Sequence, residues 1–202
     1  MGSGNAGMTN VFRSVGNLAG VLTLIGDLSK SVISVLVSRA IYRGFGGTDM
    51  FIDIGMNSPI LIASYISGLF CLIGHLYPIF FGFRGGKGVL VTIGTTLVID
   101  WRILIVVLVI FLTVFIITRI VSISTIIAFL FLPILTFVFG YFHPFVEQGM
   151  DNIYVAICTA LSACYTIIVI FMHKENIKRL RKGEEKKLTF GYSSNIRICF
   201  RL

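Results

Sequence analysis

The chain has 202 residues, of which 56% are hydrophobic and only 13% are charged. Soluble domains are about 45–50% apolar and about 25% charged, so this composition is typical of a bilayer protein and excludes a disordered chain, a disulfide-stapled secreted module and an ordinary cytosolic enzyme. Lys and Arg number 17 against 9 Asp and Glu, which gives a formal charge of +8.

Apolar runs of membrane-spanning length recur along the chain. A helix needs about 20 mostly apolar residues to cross about 30 Å of hydrocarbon, because each residue adds about 1.5 Å. A further run at 88–99 is apolar but short. The long candidates are residues 19–40, 59–81, 103–118, 123–141 and 153–172. We predict an all-α, polytopic transmembrane helical bundle with six spans, of which 88–99 is the weakest.

The basic residues lie mostly on one side of these predicted spans. That side receives the N-terminal stretch, the turn at 84–87, Arg119 and the C-terminal tail. The other side has only Arg39, Arg43 and Arg102, and it holds most of the acidic residues. Since positive residues mark the cytoplasmic side of membrane proteins, both termini are predicted to be cytoplasmic.

The chain begins with a polar, glycine-rich run at 2–10, just before the first span. Glycine lets backbone N–H groups converge on an anion, hydroxyl and amide side chains add partners, and arginine clamps phosphate bidentately. This pattern predicts an anion site, although a flexible N-terminal leader fits the composition equally well. The candidate phosphate ligands here are Ser3, Asn5, Thr9, Asn10 and Arg13.

Two opposite charges, Asp27 and Lys30, lie inside the first predicted span. They are three residues apart, so their side chains can pair across one helical turn. A lone charge within the membrane is costly, and pairing reduces that cost. A structural ion pair is therefore favoured over a proton or ion relay, which would need more than one such site.

A second anion-friendly stretch lies at 82–88, ahead of the short span. It places Arg84 and Lys87 at a helix N-terminus, where orphan N–H groups and the helix dipole favour negative charge. A Walker A nucleotide loop needs glycine at Phe81 and Ser or Thr at Gly88, so a smaller phosphate is favoured. The alternative is a positive-inside loop with turn glycines. The candidate ligands here are Gly85, Gly86, Lys87 and Gly88.

Two more polar stretches lie on the same predicted side. Arg119, Ser122 and Ser124 stand at a helix boundary, where capping and anion binding both fit. His173 and Asn176 share one face of a helix that continues from the last span. The lysines around them fit a basic helix on anionic lipid, which does not explain the histidine or the asparagine. We expect all four polar stretches to form one phosphate site at the membrane surface.

In these residues the chain resembles the PlsY-type acyl-phosphate:glycerol-3-phosphate acyltransferases of bacterial membranes. The resemblance rests on separated motifs that occur in the same order from residue 2 to about residue 187. They are the run at 2–10 with Arg13, Gly26-Asp27 with Lys30, Gly74-His75 with Pro78, Gly85-Gly86-Lys87-Gly88, Arg119 with Ser122 and Ser124, and His173 with Asn176-Ile177, Arg179-Leu180 and Gly183.

The resemblance implies an enzyme that moves a fatty acyl group from acyl phosphate to the 1-hydroxyl of sn-glycerol 3-phosphate, giving lysophosphatidic acid and phosphate. It implies a single acyltransferase domain over residues 1–187, with no cofactor and no metal, in the bacterial inner membrane with its site facing the cytoplasm. The two substrates and membrane lipid are the expected partners, without nucleic acid or an obligate protein partner. The tail at 188–202 is left unassigned.

The resemblance also implies residue roles. The expected catalytic residues are His173, Asn176 and Ser122. His173 is expected to orient a substrate or carry a proton. The residues expected to bind phosphate or the glycerol backbone are Ser3, Arg13, Lys87, Ser122 and Asn176. An acyl phosphate is already activated, so positioning and charge stabilisation can supply most of the rate. No histidine has an aspartate five positions on, so the HxxxxD general-base motif of acyl-CoA and acyl-carrier-protein dependent acyltransferases is absent.

The family has seven spans, and its first helix precedes the run at 2–10. The present chain starts at that run, so six spans are expected and the first helix of the family is expected to be absent. Two alternatives stay open at this point. One is a membrane transporter or binding protein for a phosphorylated metabolite, and the other is an inactive truncated form.

Overall fold

The structure is a computed structural model that describes residues 7–45, 59–142 and 152–187. Ser3 and Asn5 lie outside the described residues, as do the side chain of Arg13 and the tail at 188–202. Every regular element in the described ranges is helical. In chain order the helices are α1 (Met8–Ser14), α2 (Asn17–Gly44), α3 (Pro59–Leu76), α4 (Val89–Ile99), α5 (Trp101–Thr118), α6 (Val121–Phe142), α7 (Asn152–Met172) and α8 (Lys174–Arg181), with one 3-10 turn (Ile79–Phe81) after α3.

Five of these helices, α2, α3, α5, α6 and α7, are long and apolar enough to cross a membrane. The predicted all-α membrane bundle is therefore confirmed. Helix α4 has 11 residues. It rises about 16 Å, which is about half of the hydrocarbon thickness. The count thus differs slightly from the six predicted spans, because α4 falls short by length.

Asp100 separates α4 from α5. Its backbone is extended, with φ −155°, so it ends α4. Its Oδ1 accepts a hydrogen bond from the backbone N–H of Arg102 at 2.9 Å, and its Oδ2 accepts one from the guanidinium at 2.7 Å. Aspartate at this position satisfies an N–H that the first turn of α5 leaves without a helical partner. A short polar break therefore divides what is otherwise a continuous apolar stretch.

Glycines allow α4 to lie close to both α2 and α3. A side chain on Gly94 of α4 would come within 2.9 Å of the Leu28 carbonyl oxygen on α2 and would collide with Ser31. On α3, a side chain on Gly68 would collide with Thr95 of α4. Because α4 is packed this closely on both sides, the loop that leads into it has a fixed position.

Replacing Gly94 with alanine is expected to lower the thermal midpoint of the protein in detergent. The collision costs about 1–3 kcal/mol, which exceeds the gain in helix propensity of about 1 kcal/mol. The matched control is Gly26→Ala on α2, where nothing lies within 4 Å of the added carbon. We expect this control to melt at or above the wild-type temperature, and equal losses in both variants would contradict the close packing of α4.

Several polar stretches meet at one end of the bundle. Lys87, just before α4, contacts Asn176 of α8. Ser122, at the start of α6, contacts Glu185, which follows α8. Three of the four polar stretches that the sequence predicted to converge are thus brought together, although they lie far apart along the chain.

Candidate active site

A glycine loop between α3 and α4 carries Lys87. A side chain on Gly85 would collide with the His75 carbonyl, and one on Gly86 with the His75 imidazole. Gly88 has φ +80°, in the left-handed region that favours glycine, and it is the residue from which α4 begins. The loop is therefore pressed against the end of α3. This packing explains the glycines that the sequence analysis assigned to phosphate binding, and that binding role stays a prediction.

A polar cluster of Asp27, Lys30 and His75 packs against this loop. Lys30 Nζ lies 2.5 Å from Asp27 Oδ1, which confirms the predicted ion pair. The same ammonium lies 2.6 Å from His75 Nδ1, and that nitrogen is 3.4 Å from Asp27 Oδ1. Since Gly86 packs on the other edge of the imidazole, the cluster connects α2 to the glycine loop. Sequence reasoning predicted the pair but not the histidine between it and the loop.

Lys87 and Asn176 join the glycine loop to α8. Lys87 Nζ lies 2.5 Å from Asn176 Oδ1. Asn176 is buried, with 6% of its surface exposed. Its Nδ2 donates to Glu185 Oε1 at 2.6 Å. A cation, an amide and a carboxylate therefore form one continuous line of hydrogen bonds.

Glu185 accepts hydrogen bonds from two further residues besides Asn176. Ser122 Oγ donates to its Oε1 at 2.8 Å, and Arg179 Nε donates to its Oε2 at 2.7 Å. Desolvation raises the pKa of Glu185, but the hydrogen bonds from its three partners outweigh it and hold that pKa below its usual value. The carboxylate is therefore ionised at neutral pH. Sequence reasoning did not assign Glu185 or Arg179 to the site; the available signal was an acidic residue just past Gly183 in a basic tail.

His173 lies at the junction of α7 and α8 and is 3% exposed. Burial lowers its pKa to about 4, so the imidazole is neutral at pH 7. Its Nδ1 lies 2.7 Å from the carbonyl oxygen of Val169, which can only accept a hydrogen bond. Nδ1 therefore carries the proton, and Nε2 keeps its lone pair. The positive charge of Lys87 adds to the lowering of this pKa.

Comparison with known proteins identifies the family to which this chain belongs. A family profile described as glycerol-3-phosphate acyltransferase matches residues 1–183. The chain belongs to the glycerol-3-phosphate acyltransferase family. It is 35% identical to proteins of that name from Carboxydothermus hydrogenoformans, over 93% of this chain and 80% of the relative, and from Clostridioides difficile, over 93% and 79%.

Solved structures from this family share the fold. One is a crystal structure of PlsY, an integral membrane glycerol 3-phosphate acyltransferase, in its glycerol 3-phosphate form, with a TM-score of 0.73 and 29% identity over 93% of this chain and 80% of PlsY. The lysophosphatidic acid form of PlsY gives a TM-score of 0.72 over 93% and 81%. The present chain is accordingly a multi-pass integral membrane acyltransferase.

The remaining predicted ligands of this acyltransferase are Thr9, Asn10, Arg119 and Ser124. Thr9 and Asn10 lie on α1, which packs against α2, whereas the cluster is built by the glycine loop, α6, α8 and the segment after α8. Arg119 ends α5 with φ +59° and is exposed. Ser124 is buried and donates to the Ile120 carbonyl at 2.8 Å. Their roles in phosphate binding stay predictions.

Within residues 7–45, 59–142 and 152–187, no three His, Cys, Asp or Glu side chains come together in a group able to hold a metal ion. The side chains that do converge are two cations, an amide, a hydroxyl and one carboxylate, and a neutral imidazole lies directly before α8. Such a set can bind an anion and a hydroxyl side by side.

Proposed function

We propose that this acyltransferase moves a fatty acyl group from acyl phosphate to the 1-hydroxyl of sn-glycerol 3-phosphate. The hydroxyl oxygen forms a bond to the acyl carbon, and the bond between that carbon and the phosphate oxygen breaks. The products are lysophosphatidic acid and inorganic phosphate, and the hydroxyl proton leaves through a protein base. The observation that carries the proposal is the convergence of Lys87, Asn176 and Ser122 at one end of an apolar bundle, with His173 directly before the helix that carries Asn176.

The charges of the site suit these two substrates. Both carry phosphate, and Lys87 supplies a cation that its hydrogen bond to Asn176 fixes in place. We assign Lys87 to phosphate, together with Ser3 and Arg13 from the N-terminal stretch. A cation aimed at a phosphate in a site with little water contributes more than the same cation on an exposed surface. The glycerol 3-phosphate form of PlsY supports this substrate for the family.

His173 suits the transfer of the proton. Its Nδ1–H is held by Val169, so the lone pair on Nε2 can accept the proton of the attacking hydroxyl. Because acyl phosphate is a mixed anhydride, the reaction needs positioning and charge stabilisation more than a protein nucleophile. Asn176 and Ser122 supply neutral hydrogen-bonding groups beside the base.

The position of the site also fits a substrate pair of which one member is soluble and one is lipid. The cluster lies at an end of the bundle, where helices α3, α5 and α7 finish and their connections begin. We assign this end to the cytoplasmic face of a bacterial inner membrane, since most of the Lys and Arg residues fall on it. Acyl phosphate can then enter from the lipid and glycerol 3-phosphate from the cytoplasm.

The proposal is tested by phosphate release from acyl phosphate in liposomes that contain the purified protein. We expect release only when glycerol 3-phosphate is also present, with lysophosphatidic acid formed in equal amount. Uptake of glycerol 3-phosphate without phosphate release would indicate a carrier instead. Absence of both would favour an inactive form.

The cytoplasmic position is tested by a single cysteine at Arg84, an exposed residue of the glycine loop, in a variant that lacks the native cysteines. A membrane-impermeant maleimide is expected to label Arg84→Cys in inverted vesicles and not in right-side-out spheroplasts. Labelling of intact spheroplasts would reverse the topology.

A further inference from the structure

Glu185 lies within the site, yet the proposed reaction gives it no task. Its Oε1 accepts from both Ser122 Oγ and Asn176 Nδ2, at 2.8 and 2.6 Å. Its Oε2 accepts from Arg179 Nε at 2.7 Å, and only 10% of its side chain is exposed. A carboxylate beside a phosphate site repels the substrate, so its presence there calls for a compensating role.

We propose that Glu185 is a positioning residue, which fixes the direction of the hydrogen bonds made by Asn176 and Ser122. By orienting Asn176, Glu185 presents Lys87 to phosphate. By orienting Ser122, Glu185 creates an acceptor for the 2-hydroxyl of the glycerol substrate. The second part rests on the proposed function.

The first step concerns the amide of Asn176. An ionised carboxylate can only accept hydrogen bonds, and an ammonium can only donate them. Between Glu185 and Lys87 the amide therefore has one favourable orientation, with its NH₂ toward the carboxylate and its oxygen toward the ammonium. The opposite orientation would set two donors against each other and two acceptors against each other. Glu185 thus determines that Lys87 is held at Asn176 Oδ1.

The second step concerns the hydroxyl of Ser122. Serine has a single hydroxyl proton, and here that proton is donated to Glu185. Toward a substrate Ser122 can then only accept, which suits a hydroxyl group and does not suit a phosphate oxygen. In the proposed reaction the 1-hydroxyl gives its proton to His173. The 2-hydroxyl is therefore the group left for Ser122.

The third step concerns how the chain delivers Glu185. Gly183 follows α8 with φ +70°, and its N–H donates to the Leu180 carbonyl at 3.1 Å. The next N–H, of Glu184, donates to the Arg179 carbonyl at 2.9 Å. This turn folds the chain back over α8, so that Glu185 reaches Arg179 while Glu184 remains exposed. The two neighbouring carboxylates are therefore a matched pair, one inside the site and one outside.

The experiment compares Glu185→Gln, Glu184→Gln and wild type with two acceptors, glycerol 3-phosphate and propane-1,3-diol monophosphate, which lacks the 2-hydroxyl. Wild type is expected to prefer glycerol 3-phosphate by about tenfold or more in kcat/KM, because a buried acceptor is left without a donor by the analogue. Glu185→Gln is expected to lose most of this preference and about tenfold in kcat/KM for glycerol 3-phosphate. Glu184→Gln is expected to behave as wild type.

A second variant keeps the test decisive if Glu185→Gln folds poorly. Ser122→Ala leaves the contacts of Glu185 with Asn176 and Arg179 in place, and it is expected to reduce the same preference. A purely structural role would lower activity on both acceptors alike. If both variants therefore keep the preference of the wild type for glycerol 3-phosphate over the analogue, the inference is overturned. Loss of acyl transfer in the wild-type protein itself would instead contradict the proposed function.

Discussion

Replacing Lys87 with methionine is expected to raise the KM for glycerol 3-phosphate by about 10- to 100-fold. Methionine has a similar length but no charge, so the phosphate loses its cation and Asn176 Oδ1 loses its partner at 2.5 Å. Hydrogen bonds to charged groups contribute about 1.5–3 kcal/mol, and each 1.4 kcal/mol is about tenfold in an equilibrium. The measurement is the initial rate of phosphate release from acyl phosphate in liposomes, with glycerol 3-phosphate varied.

The control for Lys87 comes from the same loop. Arg84 is an exposed cation, three residues before Lys87. Arg84→Met therefore removes the same charge without touching the contact to Asn176, and its KM is expected to stay within about threefold of wild type, because exposed charges are screened by salt. If both variants raised the KM equally, the general attraction of a basic face would account for the affinity. The assignment of Lys87 as a phosphate clamp would then be withdrawn.

The fold class could be predicted from the sequence because a chain that lies in lipid can adopt few structures. In lipid each backbone N–H and C=O group needs an internal partner, so an apolar run of the right length becomes a helix. The predicted span at 153–172 matches α7 closely, and the one at 59–81 covers α3 together with the 3-10 turn that follows it. The short run at 88–99 was also located correctly, as α4. The length of this run did not predict that α4 packs tightly between α2 and α3. That packing depends on the partners that Gly94 and Gly68 face.

The meeting of the polar stretches was predicted from the sequence, whereas the contacts between them were not. Charge and hydrogen-bonding capacity selected Lys87, Ser122, His173 and Asn176, and the structure brings the stretches that carry them to one end. Glu185 was not selected, because an acidic residue is an unexpected neighbour for a phosphate site. Its place depends on a left-handed turn at Gly183 and on donors from two other stretches, which no local pattern encodes.

The glycine loop shows a second limit of sequence reasoning. Glycine beside lysine suggests a backbone that wraps around an anion, and the same residues are also what a loop needs to lie against a helix end. A side chain on Gly85 or Gly86 would collide with His75, so their lack of a side chain already has a packing cause. Local composition cannot distinguish these two causes, because both demand the same residue. The residue that supplies the packing cause, His75, is ten residues before Gly85 in the chain.

The second large effect is expected from His173→Gln. Glutamine can still donate a hydrogen bond to the Val169 carbonyl, as His173 Nδ1 does at 2.7 Å, but it has no basic lone pair. If Nε2 accepts the proton of the attacking hydroxyl, kcat is expected to fall by about 10²- to 10⁴-fold, the usual contribution of general base catalysis. KM for glycerol 3-phosphate is expected to change little, since Lys87 remains. A kcat close to wild type would show that His173 only orients the substrate.

The pH dependence gives an independent check on His173. Burial lowers its pKa to about 4, so the imidazole stays neutral and basic as the pH falls from 8 to about 5, and it becomes protonated only near pH 4. The substrate phosphate also titrates in this range, but it affects wild type and His173→Gln alike. The ratio of their kcat values is therefore expected to stay constant down to about pH 5 and to shrink toward pH 4. A ratio that instead begins to shrink near pH 6.5 would mean that the catalytic imidazole is not the buried, neutral group held by Val169.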